Sequence, residues 1–143
     1  MLDSPVWKDK IATGSLGENF VLNSIQKKYK SAYQKEGKYS AYDIYIPETN
    51  KTIEVKYDKG SLRSGNFFVE LKDYEVKSGL SISTADWWCF TDLNKSYYIQ
   101  REKLIDIIQD LPIRRSFCEK DKHATEYVLL SKKKYLHHFK IIN

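Results

Sequence analysis

The chain has 143 residues, of which 41% are hydrophobic, 30% charged and 14% aromatic. This composition excludes an extended disordered chain, and the length suffices for one well-packed core, so we expect a single domain over residues 1–143. The formal net charge of +5 favours a polyanionic partner such as nucleic acid, because lysine and arginine release condensed counterions when they neutralise phosphates.

The spacing of the cysteines argues against a zinc-cluster protein, and the distribution of apolar residues argues against a membrane-spanning or secreted one. With two cysteines, Cys89 and Cys118, and no paired metal-ligand spacing around them, the sequence does not predict a four-ligand zinc cluster. No stretch approaches the roughly eighteen apolar residues of a membrane span, and the first residues lack the apolar core of a signal peptide. We therefore expect a cytoplasmic protein without a membrane partner.

The first predicted element is a helix over residues 3–29, with Asp3 or Ser4 as its N-cap. Its apolar stripe comprises Leu16, Phe20, Val21 and Ile25. Gly17 interrupts the helix directly before Glu18. At Gly17 the missing side chain would let another backbone or a ligand approach the helix closely.

Three strands follow, which we identify by the alternation of apolar with polar residues over 42–46, 51–58 and 66–73. The turn residues 47–50 separate the first two strands, so these strands should pair in antiparallel orientation. The connection 59–65 carries two glycines, two serines and two basic residues, and is predicted to be a mobile basic loop.

The second half of the chain begins with a serine-rich segment in which residues 84–86 are predicted to open a short helix. The later predicted elements are a hairpin of strands 87–91 and 96–100, a helix over 101–111 and a strand near 127–130. Lysines 132–134 lie in a basic final segment. This order of elements predicts a mixed α/β fold.

The candidate site follows from the face that each strand residue occupies. If the apolar residues of 42–46 enter the core, alternation places Asp43 on the opposite face. The same rule puts Glu54 and Lys56 together on one face of the next strand. Antiparallel pairing across the turn then brings Asp43 opposite or diagonal to Glu54, close enough for the two carboxylates to share a divalent ion.

These residue types suit phosphodiester hydrolysis. Mg²⁺ takes hard oxygen ligands, polarises a phosphoryl oxygen and lowers the pKa of a bound water. Asp43 and Glu54 would supply its carboxylate ligands, with the backbone carbonyl of Val55 as a further candidate. Lys56 is placed to orient or deprotonate the attacking water and to stabilise the developing charge. A Glu-x-Lys pair alone is commonly a solvated strand face, and the preceding Asp43 makes the pattern more specific.

The chain has a predicted helix bearing Gly17-Glu18, followed by Asp43 and then by Glu54-Val55-Lys56. This pattern resembles that of the PD-(D/E)XK nuclease superfamily. Over residues 14–100 the spacing is most similar to that of archaeal-type Holliday junction resolvases and related small phage nucleases. The resemblance implies a restriction-endonuclease-like fold, in which a mixed central β-sheet is flanked by helices. Tyr42 stands where the name of the superfamily places proline, a residue that members often lack.

The resemblance also implies roles for individual residues. Glu18, Asp43 and Glu54 would bind Mg²⁺, for which Mn²⁺ can substitute, and Lys56 would assist the nucleophilic water. The residues alone place Glu18 near the apolar stripe of its helix, where it is either an exposed glutamate or a rim residue that faces the sheet.

Other residues keep two interpretations. Glu70 on the third strand is either an accessory ligand or hydrogen-bond acceptor in the cleft, or a solvated residue. Lys59 and Arg63 are either DNA-binding residues that contact phosphates from the loop, or are simply solvated. Ser83, Thr84 and Asp86 would either cap the predicted short helix or line the far wall of the cleft.

The leading hypothesis is a Mg²⁺-dependent endodeoxyribonuclease that hydrolyses DNA phosphodiester bonds. One form of it is a phage- or virus-encoded Holliday junction resolvase acting in recombination and repair, for which a homodimer would match a symmetric, branched DNA. A restriction-like or DNA-end nuclease is a second form. A non-catalytic nucleic-acid-binding module with the same fold is the alternative from another class.

Overall fold

The computed structural model describes residues 5–35, 41–73, 79–118 and 123–143. The helices are α1 (Pro5–Gln26), α2 (Ser61–Ser64), α3 (Arg101–Ile108) and α4 (Lys132–Tyr135), the last followed by a 3₁₀ turn at Leu136–His138. The strands are β1 (Tyr33–Gln34), β2 (Ile44–Ile46), β3 (Lys51–Tyr57), β4 (Asn66–Asp73), β5 (Trp87–Thr91), β6 (Ser96–Gln100), β7 (Arg114–Cys118), β8 (His123–Ser131) and β9 (Lys140–Ile142). The predicted N-cap, Asp3 or Ser4, lies outside the described residues.

The strands form two sheets. The large sheet has six strands in the order β1-β2-β3-β5-β6-β9, and it is mixed because β3 and β5 run parallel while its other neighbours pair antiparallel. The small sheet has three antiparallel strands in the order β4-β8-β7. The predicted mixed α/β architecture, with a mixed multi-strand sheet flanked by helices, is confirmed.

Two apolar cores lie on opposite faces of the large sheet. The α1-side core includes Val21, Ile25, Ile44, Ile53 and Val55. The inter-sheet core includes Phe67, Val69, Trp88, Phe90, Leu104 and Val128, which come from both sheets and from α3. The large sheet therefore lies between α1 on one side and the small sheet with α3 on the other.

The alternation in β3 positions the candidate site. Ile53 and Val55 are buried in the α1-side core, so Glu54 and Lys56 project from the other face of the strand, as predicted. The predicted antiparallel pairing is also confirmed, with Ile44 opposite Ile53. Tyr42 departs from the prediction, because the chain bends before β2 begins at Ile44, and Tyr42 packs against the inter-sheet core instead.

The helix predicted at residues 84–86 is wrong, because the polar side chains there bind neighbouring strands. Ser83 Oγ accepts the indole N–H of Trp88 at 3.1 Å. Asp86 Oδ2 accepts the backbone N–H of Thr52 at 2.9 Å and its hydroxyl at 3.1 Å. Ser83 and Asp86 therefore fix the segment to β5 and β3, and neither caps a helix.

The connection predicted as a loop over residues 59–65 contains the helical turn α2. Asp58 holds its first residue, since Ser61 donates its backbone N–H to Asp58 Oδ1 at 3.2 Å and its hydroxyl to the Asp58 carbonyl at 2.8 Å. Gly65 ends the turn in the left-handed region, with φ of 73°. Among the described residues, we find no helix with the length and apolar character that a membrane crossing requires.

Candidate active site

Asp43 is fixed by the backbone of β3. Asp43 lies directly before β2, whose first residue, Ile44, pairs with Ile53 of β3. Asp43 donates its N–H to the Ile53 carbonyl at 2.9 Å, and its Oδ2 accepts the Val55 N–H at 2.7 Å. Asp43 also neighbours the carboxyl groups of Glu18 and Glu54.

Lys56 lies between two carboxylates. Its Nζ is 3.6 Å from Glu54 Oε2 and 3.9 Å from Glu70 Oε2. The same nitrogen lies 5.4 Å from the centroid of a Trp88 ring, which forms an apolar floor beneath it. The side chains of Glu54 and Lys56 keep 16% and 27% of their exposure, so solvent reaches this group of charges.

Glu18 comes from α1, and Gly17 allows that helix to approach β3. A Cβ built at Gly17 would lie 2.8 Å from the Cβ of Tyr57, closer than side chains tolerate. The close backbone approach predicted at Gly17 is therefore present, and its partner is β3. Glu18 Oε2 accepts the amide N–H of Gln34 at 3.3 Å.

The carboxyl groups of the site lie close to one another and are partly buried. Burial, together with the neighbouring Asp43, raises the pKa of Glu18 to about 7. Burial also raises the pKa of Glu54 to about 8, since the lowering effect of Lys56 only partly offsets it and Asp43 adds to it. Burial by itself lowers the pKa of Lys56, but attraction to Glu54, Glu70 and Asp43 outweighs that effect and raises it above its ordinary value.

A divalent cation suits the chemistry of this cluster, because carboxylate oxygens are hard ligands and two of these groups have raised pKa values. Glu18 and Glu54 each neighbour Asp43, so the three carboxyl groups are linked through it. Within residues 5–35, 41–73, 79–118 and 123–143, no three His, Cys, Asp or Glu side chains are close enough as placed to hold one ion. Binding would therefore require these side chains to draw closer.

The structure thus brings together Glu18, Asp43, Glu54, Lys56 and Glu70. Val55, predicted as a carbonyl ligand, lies between Glu54 and Lys56 with its side chain in the α1-side core and its N–H bound to Asp43. Of the two interpretations of Glu70, the geometry favours the cleft, because its carboxylate lies beside Lys56.

Lys59 and Arg63 are not part of this group. Lys59 follows the end of β3 and Arg63 lies in α2, and both side chains are exposed. Their predicted contacts with DNA remain a prediction, as does the mobility of their segment.

Gln34 was not predicted as a site residue. It lies in β1, where it pairs with Ile44, and the next residue, Lys35, donates its N–H to the Asp43 carbonyl at 2.7 Å. β1 therefore supports both Asp43, through the backbone, and Glu18, through the Gln34 amide. A two-residue strand has no alternation of its own, so its sequence gave no signal of this role.

No protein-family model, no curated protein and no solved structure matches the chain. The assignment of a function therefore depends on the residues and the geometry of the site.

Proposed function

We propose that the chain is a Mg²⁺-dependent endodeoxyribonuclease with the restriction-endonuclease-like fold of PD-(D/E)XK enzymes. The observation that carries the proposal is a solvent-accessible group of charged side chains that comes from three parts of the chain. Glu18 lies in α1, Asp43 directly precedes β2, and Glu54 and Lys56 lie in β3. Burying like charges beside one another is unfavourable, so a cluster of this kind is typical of functional sites.

Glu18, Asp43, Glu54 and the Val55 carbonyl would hold Mg²⁺, or Mn²⁺ in its place. When bound, the ion would polarise a phosphoryl oxygen and lower the pKa of a coordinated water. Two of these carboxylates are held in place by hydrogen bonds and would determine where the ion binds. Asp43 accepts the Val55 N–H of β3, and Glu18 accepts the Gln34 amide N–H.

Lys56 would act as a fixed cation. Its carboxylate neighbours raise its pKa, so it keeps its proton at neutral pH and does not serve as the base that activates water. An ammonium held at this position can orient the attacking water and stabilise negative charge that grows on the phosphoryl group. Glu70 helps to hold that ammonium in place from β4.

Two forms of the proposal differ in their DNA substrate, and one alternative to it lacks turnover. A Holliday junction resolvase would be a homodimer that binds a four-way junction far more tightly than a duplex of equal length. A restriction-like or DNA-end nuclease would cut linear duplex. A non-catalytic binding module would cut nothing, and the crowded carboxylates argue against it, because they repel the phosphate that such a module must bind.

The test is cleavage of labelled single-stranded, duplex, flapped and four-way-junction DNA, each with Mg²⁺ and with EDTA. We expect cleavage only with Mg²⁺, and a loss of about 100-fold or more in Lys56→Ala with DNA affinity changed only a few fold. Lys103→Ala removes an equal charge from an exposed position on α3 and should cleave normally. Cleavage by Lys56→Ala at the wild-type rate, or the absence of cleavage of all four substrates, would contradict the proposal.

A further inference from the structure

Two aromatic rings lie on the outer face of the small sheet, away from the inter-sheet core. Phe68 and Tyr127 stack with ring centroids 4.4 Å apart and planes 24° from parallel. Their neighbours Phe67, Val69 and Val128 are fully buried, whereas Phe68 keeps 41% of its exposure. We call Phe68 and Tyr127 the aromatic step.

The aromatic step is continuous with the candidate active site. Phe68 and Glu70 project from the same face of β4, and Glu70 lies 3.9 Å from Lys56. Tyr127 is the direct cross-strand partner of Glu70. Adjacent strands are about 5 Å apart, so the step begins one strand away from a carboxylate of the site.

The far side of the step is basic. Arg114 of β7 is the cross-strand partner of Tyr127, and its side chain is exposed. A row across the small sheet therefore runs from Arg114 through Tyr127 to Glu70 and on to Lys56. The aromatic rings lie between two cations, and the ion pair with Lys56 balances the carboxylate of Glu70.

We propose that the aromatic step binds an unpaired base of single-stranded DNA next to the phosphate at the active site, while Arg114 contacts a neighbouring phosphate. The inference rests on the proposed function, and it specifies the substrate class as DNA with unstacked nucleotides. An exposed ring can stack on a base only if that base is not already stacked in a duplex. The positive charge of Arg114, beyond the rings, can pair with the negative phosphate that each nucleotide carries.

The backbone behind the step is built to hold this face in place. Phe68 donates its N–H to Asp58 Oδ2 at 2.7 Å, which fixes β4 to the end of β3. The β4–β8 register shifts between Glu70 and Lys72, and Gly79 lies against this irregularity with φ of 92°. A Cβ at Gly79 would lie 2.8 Å from the Glu70 carbonyl oxygen, so glycine is required for residue 79 to lie this close to the backbone of β4.

The experiment measures fluorescence anisotropy of a labelled oligothymidylate and of a blunt duplex, in EDTA so that no cleavage occurs. Phe68→Leu keeps an apolar side chain but removes the ring, and should weaken binding of the single strand about tenfold with little change for duplex. Phe68→Trp should restore the affinity. Phe117→Ala is the matched control, since Phe117 is 62% exposed on the same sheet but pairs with Ala124 on the opposite face.

Unchanged affinity of Phe68→Leu for the single strand, or an equal loss for single strand and duplex, would overturn the inference. Thermal unfolding of each variant distinguishes lost stacking from lost folding, and Arg114→Gln provides a second variant that leaves the rings intact. Because binding is measured without metal, this result is separate from cleavage. A wild-type protein that shows the ring-dependent preference but cuts no DNA would contradict the proposed function and leave the aromatic step supported.

Discussion

Two carboxylates of the same strand region, Asp58 and Glu54, have opposite surroundings. Asp58 accepts backbone N–H groups on both oxygens, from Phe68 at 2.7 Å and from Ser61 at 3.2 Å. Glu54 lies 3.6 Å from Lys56 and has Asp43 as a further neighbour. Asp58 is a structural carboxylate because backbone N–H groups bind both of its oxygens, whereas Glu54 has as neighbours a cation, Lys56, and a second carboxyl group, Asp43.

The distinction extends to the other acidic residues near the large sheet. Asp86 resembles Asp58, since it binds the backbone N–H and the hydroxyl of Thr52. Asp43 combines both kinds of surroundings, with one oxygen on the Val55 N–H and two carboxyl neighbours. Asp43 and Asp86 each accept one backbone N–H, so what distinguishes Asp43 is the neighbouring carboxyl groups of Glu18 and Glu54.

The largest difference in stability should appear between Asp58→Ala and Glu54→Gln. Asp58→Ala removes the side-chain acceptor of the Phe68 N–H and leaves the Ser61 N–H with only the carbonyl of residue 58, at 3.3 Å, so it should lower the free energy of unfolding by about 1–3 kcal/mol. Glu54→Gln removes a charge whose burial is unfavourable, and should leave that free energy unchanged or raise it at pH 8. Urea unfolding measures both.

Asp106→Ala removes an exposed carboxylate from α3 and should change the free energy of unfolding by less than about 0.5 kcal/mol. If Glu54→Gln destabilised the protein as strongly as Asp58→Ala, the proposed distinction between the two carboxylates would be lost.

Gly17 and Gly60 differ in the space that surrounds them. Gly17→Ala would place a Cβ 2.8 Å from the Cβ of Tyr57, which is attached to strand backbone, so α1 must shift away from β3. We expect a loss of about 1–2 kcal/mol in unfolding free energy and reduced cleavage, because Glu18 moves with the helix. Gly60→Ala meets its nearest atom at 4.0 Å and has φ of −64°, so it should be neutral in both assays. Equal effects of the two substitutions would contradict the close approach of α1.

A pH dependence of stability is also expected in metal-free protein. Folding raises the pKa of Glu18 from 4.5 to about 7 and that of Glu54 from 4.5 to about 8, chiefly through burial. The folded state therefore binds protons more tightly than the unfolded state between these values, so this contribution to stability is full below pH 4.5 and is lost as the pH rises towards 8. Thermal unfolding in EDTA should show a fall across this range that is shallower in Glu18→Gln/Glu54→Gln. An identical slope in the double variant would show that these groups are not responsible.

Local alternation was sufficient to predict the centre of the site. The apolar residues Ile53 and Val55 determine the face of Glu54 and Lys56, and the short turn after β2 determines the antiparallel pairing that brings Asp43 beside β3. Strands β4, β5 and β6 also have the predicted boundaries, because each is a dense run of apolar and aromatic residues between turn signals.

Contacts between distant segments were not predictable in the same way. The small sheet pairs β4 with β8, whose partner residues lie about sixty positions apart in the chain, and no periodic pattern specifies that register. Strands β7 and β9 were not predicted, because β7 begins with two arginines and a serine and β9 has only three residues, too few for an alternation to be recognised. The proximity of Glu70 to Lys56 and of Tyr127 to Glu70 therefore required the three-dimensional structure.

The most direct test of the account is calorimetric titration of the protein with Mn²⁺ at neutral pH. We predict binding of one ion per chain that Asp43→Asn weakens severalfold, because the amide can still accept the Val55 N–H but is a poorer ligand for a hard cation. Asp86→Asn, which alters a carboxylate bound to Thr52, should bind Mn²⁺ as the wild type does. Unchanged affinity in Asp43→Asn, or an equal loss in Asp86→Asn, would contradict the assignment of the metal to this cluster.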